Sequence, residues 1–184
     1  MRGTFTPLRI IAAEPADLER YIDFLEEVAV WLDRRGIKQW TPGNFRLSAA
    51  FYAESINRRE VQLAFAGDDL IGTLRLLLHE PIVWPDIVDE DGVYVYNLAI
   101  RRDWSGRGLG RQLLEWADAQ AVSLGRRCVR LDCFTDNAFL RRYYAESGFE
   151  DRGDIEAPFP APVGTLLLRR YERPVMRAGQ GDQL

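Results

Sequence analysis

The chain contains 184 residues with a mass of 21.1 kDa, the size of one globular domain. Apolar residues make up 47% and charged residues 28%, which excludes a wholly disordered chain or a coiled coil. The formal net charge of −4 argues against a nucleic-acid partner, because phosphate contacts depend on positive charge. No apolar run reaches the roughly 18 residues of a membrane helix, and no signal segment follows Met1. We therefore expect a cytoplasmic protein without a membrane partner.

The cysteines and the single lysine limit the kinds of site that the chain can form. Cys128 and Cys133 differ in position by an odd number, so they point to opposite faces of a strand. This spacing fits neither a CxxC redox motif nor a zinc site, and we expect no metal and two buried thiols in a reducing compartment. Lys38 is the only lysine among 24 lysine and arginine residues.

The first half of the chain predicts two strand regions separated by helices. Pro15 suits the first turn of an amphipathic helix with apolar residues at a spacing of three and four, and Gly36 ends it. The segment Gly67-Asp68-Asp69 between two apolar runs indicates a hairpin. The predicted elements are a strand at Phe5–Ala12, a helix from Leu18 to Leu32, a helix at Phe45–Arg58, and strands at Val61–Ala66 and Leu70–Leu78.

The second half predicts one βαβ unit followed by a short helix and two further strands. Asn137 is suited to cap that short helix. The predicted elements are strands at Val93–Ile100 and Cys128–Phe134, helices at Leu109–Leu124 and Asn137–Glu146, and strands at Phe149–Arg152 and Val163–Tyr171. Antiparallel hairpins combined with one βαβ unit indicate a mixed α/β (α+β) fold. We expect a single domain over residues 1–171 and a disordered tail over residues 172–184.

A glycine-rich turn between the strand ending at Ile100 and the helix starting at Leu109 predicts an anion site. Free N–H groups at a helix start carry positive partial charge, and glycines let a phosphate approach the backbone closely. Four arginines add formal charge there: Arg101, Arg102, Arg107 and Arg111. A tight structural turn with solvated arginines is the alternative interpretation.

Spacing separates this turn from two other phosphate-binding motifs. A P-loop ends in Gly-Lys-Ser/Thr, whereas Gly110-Arg111-Gln112 follows here. A dinucleotide fingerprint counted from Gly106 ends at Arg111 instead of glycine. Asp132 lies at roughly the distance of a ribose-binding acid, although it falls inside its strand. A nicotinamide-dinucleotide site therefore stays open as an alternative.

The same turn resembles the acetyl-CoA signature of the GNAT acetyltransferase superfamily, V-x-P-x-x-[Q/R]-x-x-G-x-[G/A]. Ile100 takes the valine position, and Gly108 and Gly110 take the motif glycines. The chain departs from the signature at Arg102, where proline is usual, and at Ser105, where glutamine or arginine is usual.

A second block is similar to the later motif of that superfamily, a strand followed by an asparagine-initiated helix and Tyr-x-x-x-Gly-Phe. It comprises residues 130–134, Asn137 through Tyr144, and Gly148-Phe149. Asn137 takes the cofactor-facing asparagine position, and Tyr144 takes the tyrosine position. The two blocks together cover residues 93–153.

The resemblance implies a central mixed, mostly antiparallel sheet splayed between strands 4 and 5 and flanked by helices. Acetyl-CoA would lie in the gap, with its pantetheine paired to the strand backbone at Leu98, Ala99 and Ile100. Asn137 and Tyr144 would also contact it. Its diphosphate would rest on Ser105, Gly106, Arg107, Gly108, Leu109, Gly110 and Arg111.

The implied activity is transfer of an acetyl group to a primary amine of a small molecule or peptide by direct attack on the thioester. The acidic protein disfavours an RNA-linked amine. A non-catalytic acyl-CoA-binding module is the alternative. Homodimerisation is left open.

Direct transfer requires a neutral amine, a donor to the oxyanion and a stabilised leaving thiolate. By the resemblance, the backbone N–H of Leu98 is the donor and Tyr144 stabilises the sulfur. A lysine-like amine, with a pKa of about 10.4, also needs a base at neutral pH. Tyr94 stands where relatives carry a strand glutamate, so the candidate bases are Asp91, His79 and Glu90.

Aromatic residues near the candidate site are expected to form the acceptor pocket: Trp40, Trp84, Tyr94 and Tyr96. The loop before the fourth strand is rich in acids, and an acidic rim would attract a cationic amine. These acids are Asp86, Asp89, Glu90 and Asp91. A solvated charged loop is the alternative.

Overall fold

A computed structural model describes residues 8–175, which form a seven-stranded sheet with helices on both faces. The strands are β1 (Arg9–Ala12), β2 (Val61–Ala66), β3 (Asp69–Leu77), β4 (Gly92–Ile100), β5 (Cys128–Phe134), β6 (Glu150–Pro158) and β7 (Thr165–Pro174). The helices are α1 (Leu18–Arg34), α2 (Asn44–Leu47), α3 (Ala49–Asn57), α4 (Leu109–Ser123) and α5 (Ala138–Glu146). Short 3₁₀ turns lie at Pro15–Asp17 and Arg102–Trp104.

The strand order is β1-β2-β3-β4-β5-β7-β6, and only the β4–β5 pair is parallel. Successive residues of a strand point to opposite faces, so each strand feeds two layers. In β2, Leu63 packs against α1 and α3, while Ala64 packs in the cluster that holds α4 and α5. The mixed, mostly antiparallel sheet with flanking helices confirms the predicted fold class.

The β4 and β5 strands separate part-way along their length. They pair from Gly92 opposite Cys128 to Val95 opposite Leu131. Beyond that point β4 pairs only with β3, whereas β5 stays paired with β7 as far as Phe134. This opening, which we call the strand gap, confirms the splayed sheet.

An extra residue in β4 forms a bulge beside the strand gap. Thr73 on β3 lies opposite Ala99 and Arg75 lies opposite Tyr96, so β4 uses one more residue than β3 over this stretch. Asn97 absorbs the irregularity with a φ of 48°. The strand therefore bulges next to Leu98, where the resemblance places the oxyanion donor.

Some predicted boundaries were wrong. The helix predicted over Phe45–Arg58 is two helices that meet at Ser48, where φ and ψ are −99° and 18°. The short strand predicted from Phe149 instead runs to Pro158, as β6.

The predicted tail at residues 172–184 begins too early, because β7 continues through Pro174 and pairs with β5. Its charged residues are neutralised there: Glu172 binds Arg130 and Arg173 binds Asp118. The rest of that tail after residue 175, and residues 5–7 of the first predicted strand, lie outside the described residues. None of the helices within residues 8–175 is long and apolar enough to cross a bilayer.

Candidate active site

The turn between β4 and α4 forms a cradle of backbone amides. Gly106 and Gly108 both adopt a φ of 75°, a left-handed conformation that strains any residue with a Cβ. No side chain caps α4, and its first helical hydrogen bond runs from the Gln112 N–H to the Gly108 carbonyl. The amides of the first turn are therefore oriented to receive an anion, as the diphosphate of acetyl-CoA requires.

The arginines around this cradle are not equivalent. Arg101 is paired with Asp103 at 2.9 Å, and the Arg102 guanidinium lies 3.4 Å from the centre of the Trp31 ring. Arg111 is exposed and has no carboxylate partner within residues 8–175. The Arg107 guanidinium stacks over Trp104 and donates to a backbone carbonyl. Arg107 and Arg111 thus leave positive charge beside the cradle, which fits an anionic ligand.

Ser105 has a bracing role in the cradle. Its hydroxyl donates to the Arg102 carbonyl at 2.8 Å and so closes the 3₁₀ turn. A contact of Ser105 with the cofactor stays a prediction, as does pairing of the cofactor with the backbone at Leu98, Ala99 and Ile100.

A cluster of two carboxyl groups and a phenol lies at the strand gap. Asp132 follows Leu131, the last residue of β5 that pairs with β4, and Tyr96 occupies the equivalent place on β4. Burial, followed by the negative charge of Glu80, raises the pKa of Asp132 to about 7, against an opposing hydrogen-bond contribution from Tyr96. Burial and the charges of the two acids hold the pKa of Tyr96 well above 10. The cluster thus holds a carboxyl group that changes protonation near neutral pH.

The Tyr96 hydroxyl is buried next to the carboxyl groups of Asp132 and Glu80, but it makes no hydrogen bond of regular geometry among the described residues. Glu80 is buried as well, and its Oε1 accepts the N–H groups of Ile82 and Val83. An unsatisfied buried hydroxyl between acids is costly in a structural core and typical of a site that receives a ligand or water.

Asp132 is the functional candidate that sequence reasoning missed. It was considered only as a ribose-binding acid. The available signal was a carboxylate placed between Leu131 and Cys133, two buried residues of a strand whose other charged residue is Arg130. The role became visible only because the fold brings Glu80, from a distant loop, beside it.

Tyr144 lies on the α5 side of the sheet. Its ring contacts Phe149 and Tyr171 at centroid distances of 5.9 and 5.6 Å, so the ring packs in the core beside α5. Burial and then the charges of Cys133 and Asp132 raise its pKa well above 10. Its hydroxyl therefore stays protonated at physiological pH and can act as a hydrogen-bond donor.

Asn137 begins α5, and the predicted cap is confirmed. Its Oδ1 accepts the Leu140 N–H at 3.1 Å, while its Nδ2 donates to Gln39 Oε1 at 2.9 Å. The same Gln39 oxygen accepts the Phe134 N–H at 3.4 Å. Gln39 therefore ties the loop after α1 to the end of β5 and the start of α5. A cofactor contact of Asn137 stays a prediction.

The candidate bases proposed from the sequence do not meet at the strand gap. Asp91 precedes β4 at the end opposite the gap, roughly 16 Å along the strand from Tyr96, and is paired with Arg127. Glu90 lies near Arg126 at 3.7 Å, and His79 is exposed just beyond β3. Asp91 and Glu90 are thus engaged by arginines, and a role for His79 as the base stays a prediction.

The acidic residues of the loop before β4 form ion pairs with arginines. Arg130 is 3% exposed, and it binds Asp89, Glu172 and the Tyr94 hydroxyl. Asp86 pairs with Arg170. Because each of the four loop acids has an arginine partner, the expected acidic rim is not present.

Of the expected acceptor residues, Trp40 lines a cavity, whereas Trp84 and Tyr94 are buried. Trp84 and Tyr94 are 2% and 3% exposed and pack under the loop, so they do not line an acceptor pocket in this structure. Tyr96 belongs to the carboxyl cluster. Trp40 lines a cavity of about 670 Å³, a volume typical of small-molecule sites.

This cavity, which we call the acceptor cavity, lies between the loop after α1, the end of β5 and the start of β7. Its lining includes Asp33, Lys38, Gln39, Trp40, Phe134 and Asp136. It contains aromatic surface and carboxylates, and Gln39 and Phe134 connect it to the edge of β5. Within residues 8–175 no group of three or more acids, histidines or cysteines could hold a metal ion.

Comparison with known proteins decides the family. A family model described as Acetyltransferase (GNAT) family matches residues 25–149, well over half of the chain. The chain belongs to the GNAT acetyltransferases. It is 30% identical over 142 residues to an uncharacterized N-acetyltransferase, YesJ, from Bacillus subtilis (strain 168), covering 74% of this chain and 78% of that protein.

Solved structures show the same fold as this GNAT acetyltransferase. A GNAT family acetyltransferase from Listeria monocytogenes superposes with a TM-score of 0.74 and 22% identity, covering 91% of this chain and 94% of that one. YncA from Salmonella typhimurium, solved with its cofactor acetyl-CoA, gives a TM-score of 0.62 and 15% identity, covering 97% and 99%. The protein is thus an N-acetyltransferase that uses acetyl-CoA.

Proposed function

We propose that this GNAT acetyltransferase transfers the acetyl group of acetyl-CoA to a primary amine of a small molecule or peptide by direct attack, with Asp132 as the general base. The observation that carries this proposal is the cluster of Asp132, Glu80 and Tyr96 at the strand gap. When bound, acetyl-CoA supplies an acetyl group activated as a thioester.

Different parts of the chain bind different parts of acetyl-CoA. The amides of the α4 cradle bind the diphosphate, with Arg107 and Arg111 adding charge. The strand backbone from Leu98 to Ile100 faces the pantetheine, and the Leu98 N–H at the bulge donates to the acetyl oxygen. These assignments are the ones that the family resemblance implies, and the glycine conformations of the cradle and the bulge in β4 support them.

Asp132 accepts the proton that the acceptor's ammonium group must lose. A carboxylate with a pKa of about 7 suits this task, because it is ionised in a large fraction of molecules and still basic enough to take the proton. The freed nitrogen lone pair then forms the C–N bond while the C–S bond breaks, and the second proton lost by the nitrogen goes to the departing thiolate. The products are the amide, the CoA thiol and a proton held by Asp132.

Tyr144 serves the leaving sulfur. Phenols have a pKa of about 10 and thiols about 8.5, so a complete transfer of the phenolic proton costs about 2 kcal/mol under reference conditions. The raised pKa of Tyr144 increases that cost. Its role is therefore a hydrogen bond to the developing charge.

The acceptor cavity favours an amine that carries an apolar group. Trp40 and Phe134 offer aromatic surface, and Asp33 and Asp136 offer negative charge to an ammonium. Phe134, which lines the cavity, follows Asp132 by two residues in β5, so the two side chains lie on the same face of the sheet.

The test measures CoA thiol release from acetyl-CoA against a panel of aliphatic amines, aromatic amines and short peptides. We expect turnover with at least one amine class and its loss in Asp132→Asn, with CoA binding retained. Turnover by Asp132→Asn at the wild-type rate would remove Asp132 from the mechanism. CoA binding without turnover by any amine would favour the non-catalytic alternative.

A further inference from the structure

The backbone of β4 has an unusual conformation at Asn97, in the bulge. Its φ of 48° is left-handed, and in the part of the chain that the structure describes only Asn97 and Arg59 combine a positive φ with a Cβ. Asparagine tolerates this region better than most residues, because its short amide side chain can form local hydrogen bonds. A left-handed residue inside a strand persists only where its surroundings hold it.

The side chain of Asn97 reaches a pair of tyrosines in the helical layer. The Tyr21 hydroxyl, on α1, donates a long hydrogen bond of 3.4 Å to Asn97 Oδ1, and the Tyr21 side chain is completely buried. The Tyr52 ring, on α3, packs edge-on against the Tyr21 ring at a centroid distance of 5.6 Å. Burial raises the pKa of Tyr52 to about 12, while the charge of Arg75 and a hydrogen bond to Asn97 oppose the rise. The bulge is thus bonded to helices that are distant in sequence.

The two tyrosines are fixed by their own surroundings. Arg75 on β3 is 4% exposed, its guanidinium lies 5.8 Å from the centre of the Tyr52 ring, and its Nη2 donates to Glu60 at 3.0 Å. Both tyrosine rings belong to the core cluster of α1 and α3, where close packing resists movement. Burial holds the pKa of Tyr21 well above 10, so its hydroxyl stays protonated and can donate at physiological pH.

The backbone of Asn97 controls the direction of the Leu98 N–H. That N–H belongs to the planar peptide unit that joins Asn97 to Leu98, so it turns with the backbone angles of Asn97. Both residues fall between Tyr96 and Ala99, where the register between β4 and β3 shifts. Because the regular ladder is interrupted there, a contact to the Asn97 side chain can decide where the Leu98 N–H points.

We propose that Tyr21 is a positioning residue for acetyl transfer: through its hydrogen bond to Asn97 it holds the bulge in the conformation that directs the Leu98 N–H toward the acetyl oxygen. The inference rests on the proposed function, which makes that N–H the oxyanion donor. Tyr21 itself contacts neither the amine nor the cofactor in the proposed reaction. An oxyanion donor acts mainly in the transition state, so its misalignment lowers kcat and leaves cofactor binding nearly unchanged.

Steady-state kinetics and calorimetry of the full chain test this role, with an amine that the wild type acetylates. Tyr21→Phe keeps the ring and removes the hydroxyl, so kcat should fall about tenfold while the Kd for CoA changes less than about twofold. Asn97→Gly keeps the left-handed backbone accessible and removes the amide, and it should show the same loss. The double variant should lose no more than either single variant, because both changes break one contact.

Ser55→Ala is the matched control. It removes a fully buried hydroxyl from α3, in the same helical layer, and that hydroxyl accepts from Arg58 Nη2 at 3.4 Å. Its kcat and its affinity for CoA should stay at the wild-type values. Thermal melts show whether each variant is folded at the assay temperature, and Asn97→Gly carries the same expectations where Tyr21→Phe is unfolded.

Infrared difference spectra of bound acetyl-CoA, isotopically labelled at the acetyl carbonyl carbon, measure the donor directly. A hydrogen bond from the Leu98 N–H lowers the carbonyl stretching frequency. This lowering should be smaller in Tyr21→Phe than in the wild type and in Ser55→Ala. A purely structural role of the Tyr21 hydroxyl would not change the frequency in a folded variant.

The outcomes separate the positioning role from the proposed function. A wild-type kcat or a wild-type carbonyl frequency in folded Tyr21→Phe would overturn the positioning role and leave the proposed function standing. A parallel loss of kcat and CoA affinity would overturn it too, as would losses in the two single variants that multiply in the double variant. A wild-type protein that acetylates no amine would overturn the proposed function and the positioning role together.

Discussion

The Glu80 carboxylate lies close enough to Asp132 for its charge to help raise the Asp132 pKa to about 7. Burial is the larger cause, and both act against ionisation of a group that ordinarily titrates near 4. The pair stands where β4 and β5 stop pairing, which is the only parallel contact within the described sheet. The proposed base therefore lies at the position where the sheet opens.

The proposed base predicts a pH dependence. The value of kcat/KM for the amine should rise with pH through a midpoint near 7, as Asp132 loses its proton. Asp132→Asn should reduce kcat/KM at least about 100-fold, as loss of a general base typically does. Asp68→Asn, at the exposed hairpin turn, is the matched control. A rising limb that persists in Asp132→Asn would assign the base elsewhere.

Glu80 should set the pH at which kcat/KM rises. Glu80→Gln removes the negative charge that raises the Asp132 pKa, so the midpoint should move to lower pH. Glutamine keeps an oxygen for the N–H groups of Ile82 and Val83, so the loop should hold. The measurement is a pH–rate profile beside a thermal melt. An unmoved midpoint in a folded variant would contradict the coupling.

Ionisation of Asp132 should also lower the stability of the folded protein. Its folded-state pKa is raised above the unfolded value of about 3.9, so ionisation lowers the free energy of unfolding as pH rises from about 4 to 7. Asp132→Asn removes that cost and should raise the free energy of unfolding at pH 8 by up to about 4 kcal/mol, at about 1.4 kcal/mol per pKa unit. The two proteins should be similar near pH 4. Urea titrations at both pH values test this, and equal stability at pH 8 would refute it.

Tyr144→Phe should lower turnover at least about tenfold, equal to 1.4 kcal/mol of barrier, with little change in CoA affinity. The phenyl ring keeps the packing against Phe149, and only the donor to sulfur is lost. Tyr171→Phe deletes a hydroxyl from the ring that contacts Tyr144 and is the matched control. Single-turnover rates measure the effect. An unchanged rate would leave Tyr144 as a packing residue.

The cradle glycines should be needed for their backbone conformation. Gly108→Ala places a Cβ at a φ of 75°, which costs roughly 1–2 kcal/mol, and should weaken CoA binding about tenfold. Gly125→Ala imposes the same strain at a φ of 73° beyond the other end of α4. Both variants should lose stability, but only the first should lose CoA affinity. Equal affinities in calorimetry would show that the cradle does not grip the ligand.

Local patterns were sufficient to predict most of the fold. The apolar spacing in α1, the hairpin around Gly67 and the βαβ unit each lie within a short stretch of chain, so neighbouring residues determine them. The cap at Asn137 followed from the same local chemistry. The cradle was identified by its glycines, since positive φ at Gly106 and Gly108 is a backbone requirement that the sequence shows directly.

The features that sequence reasoning missed depend on contacts between distant residues. Charged residues such as Glu172 were interpreted as tail, because the partner Arg130 lies 42 positions away. The loop acids suggested an open rim for the same reason. Asp132 acquires its pKa from Glu80, which no spacing rule connects to it.

Lys38 lines the acceptor cavity and is the chain's only lysine. Arginine stays protonated and is not a target for acyl donors, whereas a lysine amine can react with a thioester. The cavity proposed for the acceptor is therefore lined by the chain's single lysine amine, which the proposal predicts to be a target of the protein's own acetyl donor. Intact-mass spectrometry after prolonged incubation with acetyl-CoA would detect self-acetylation of Lys38.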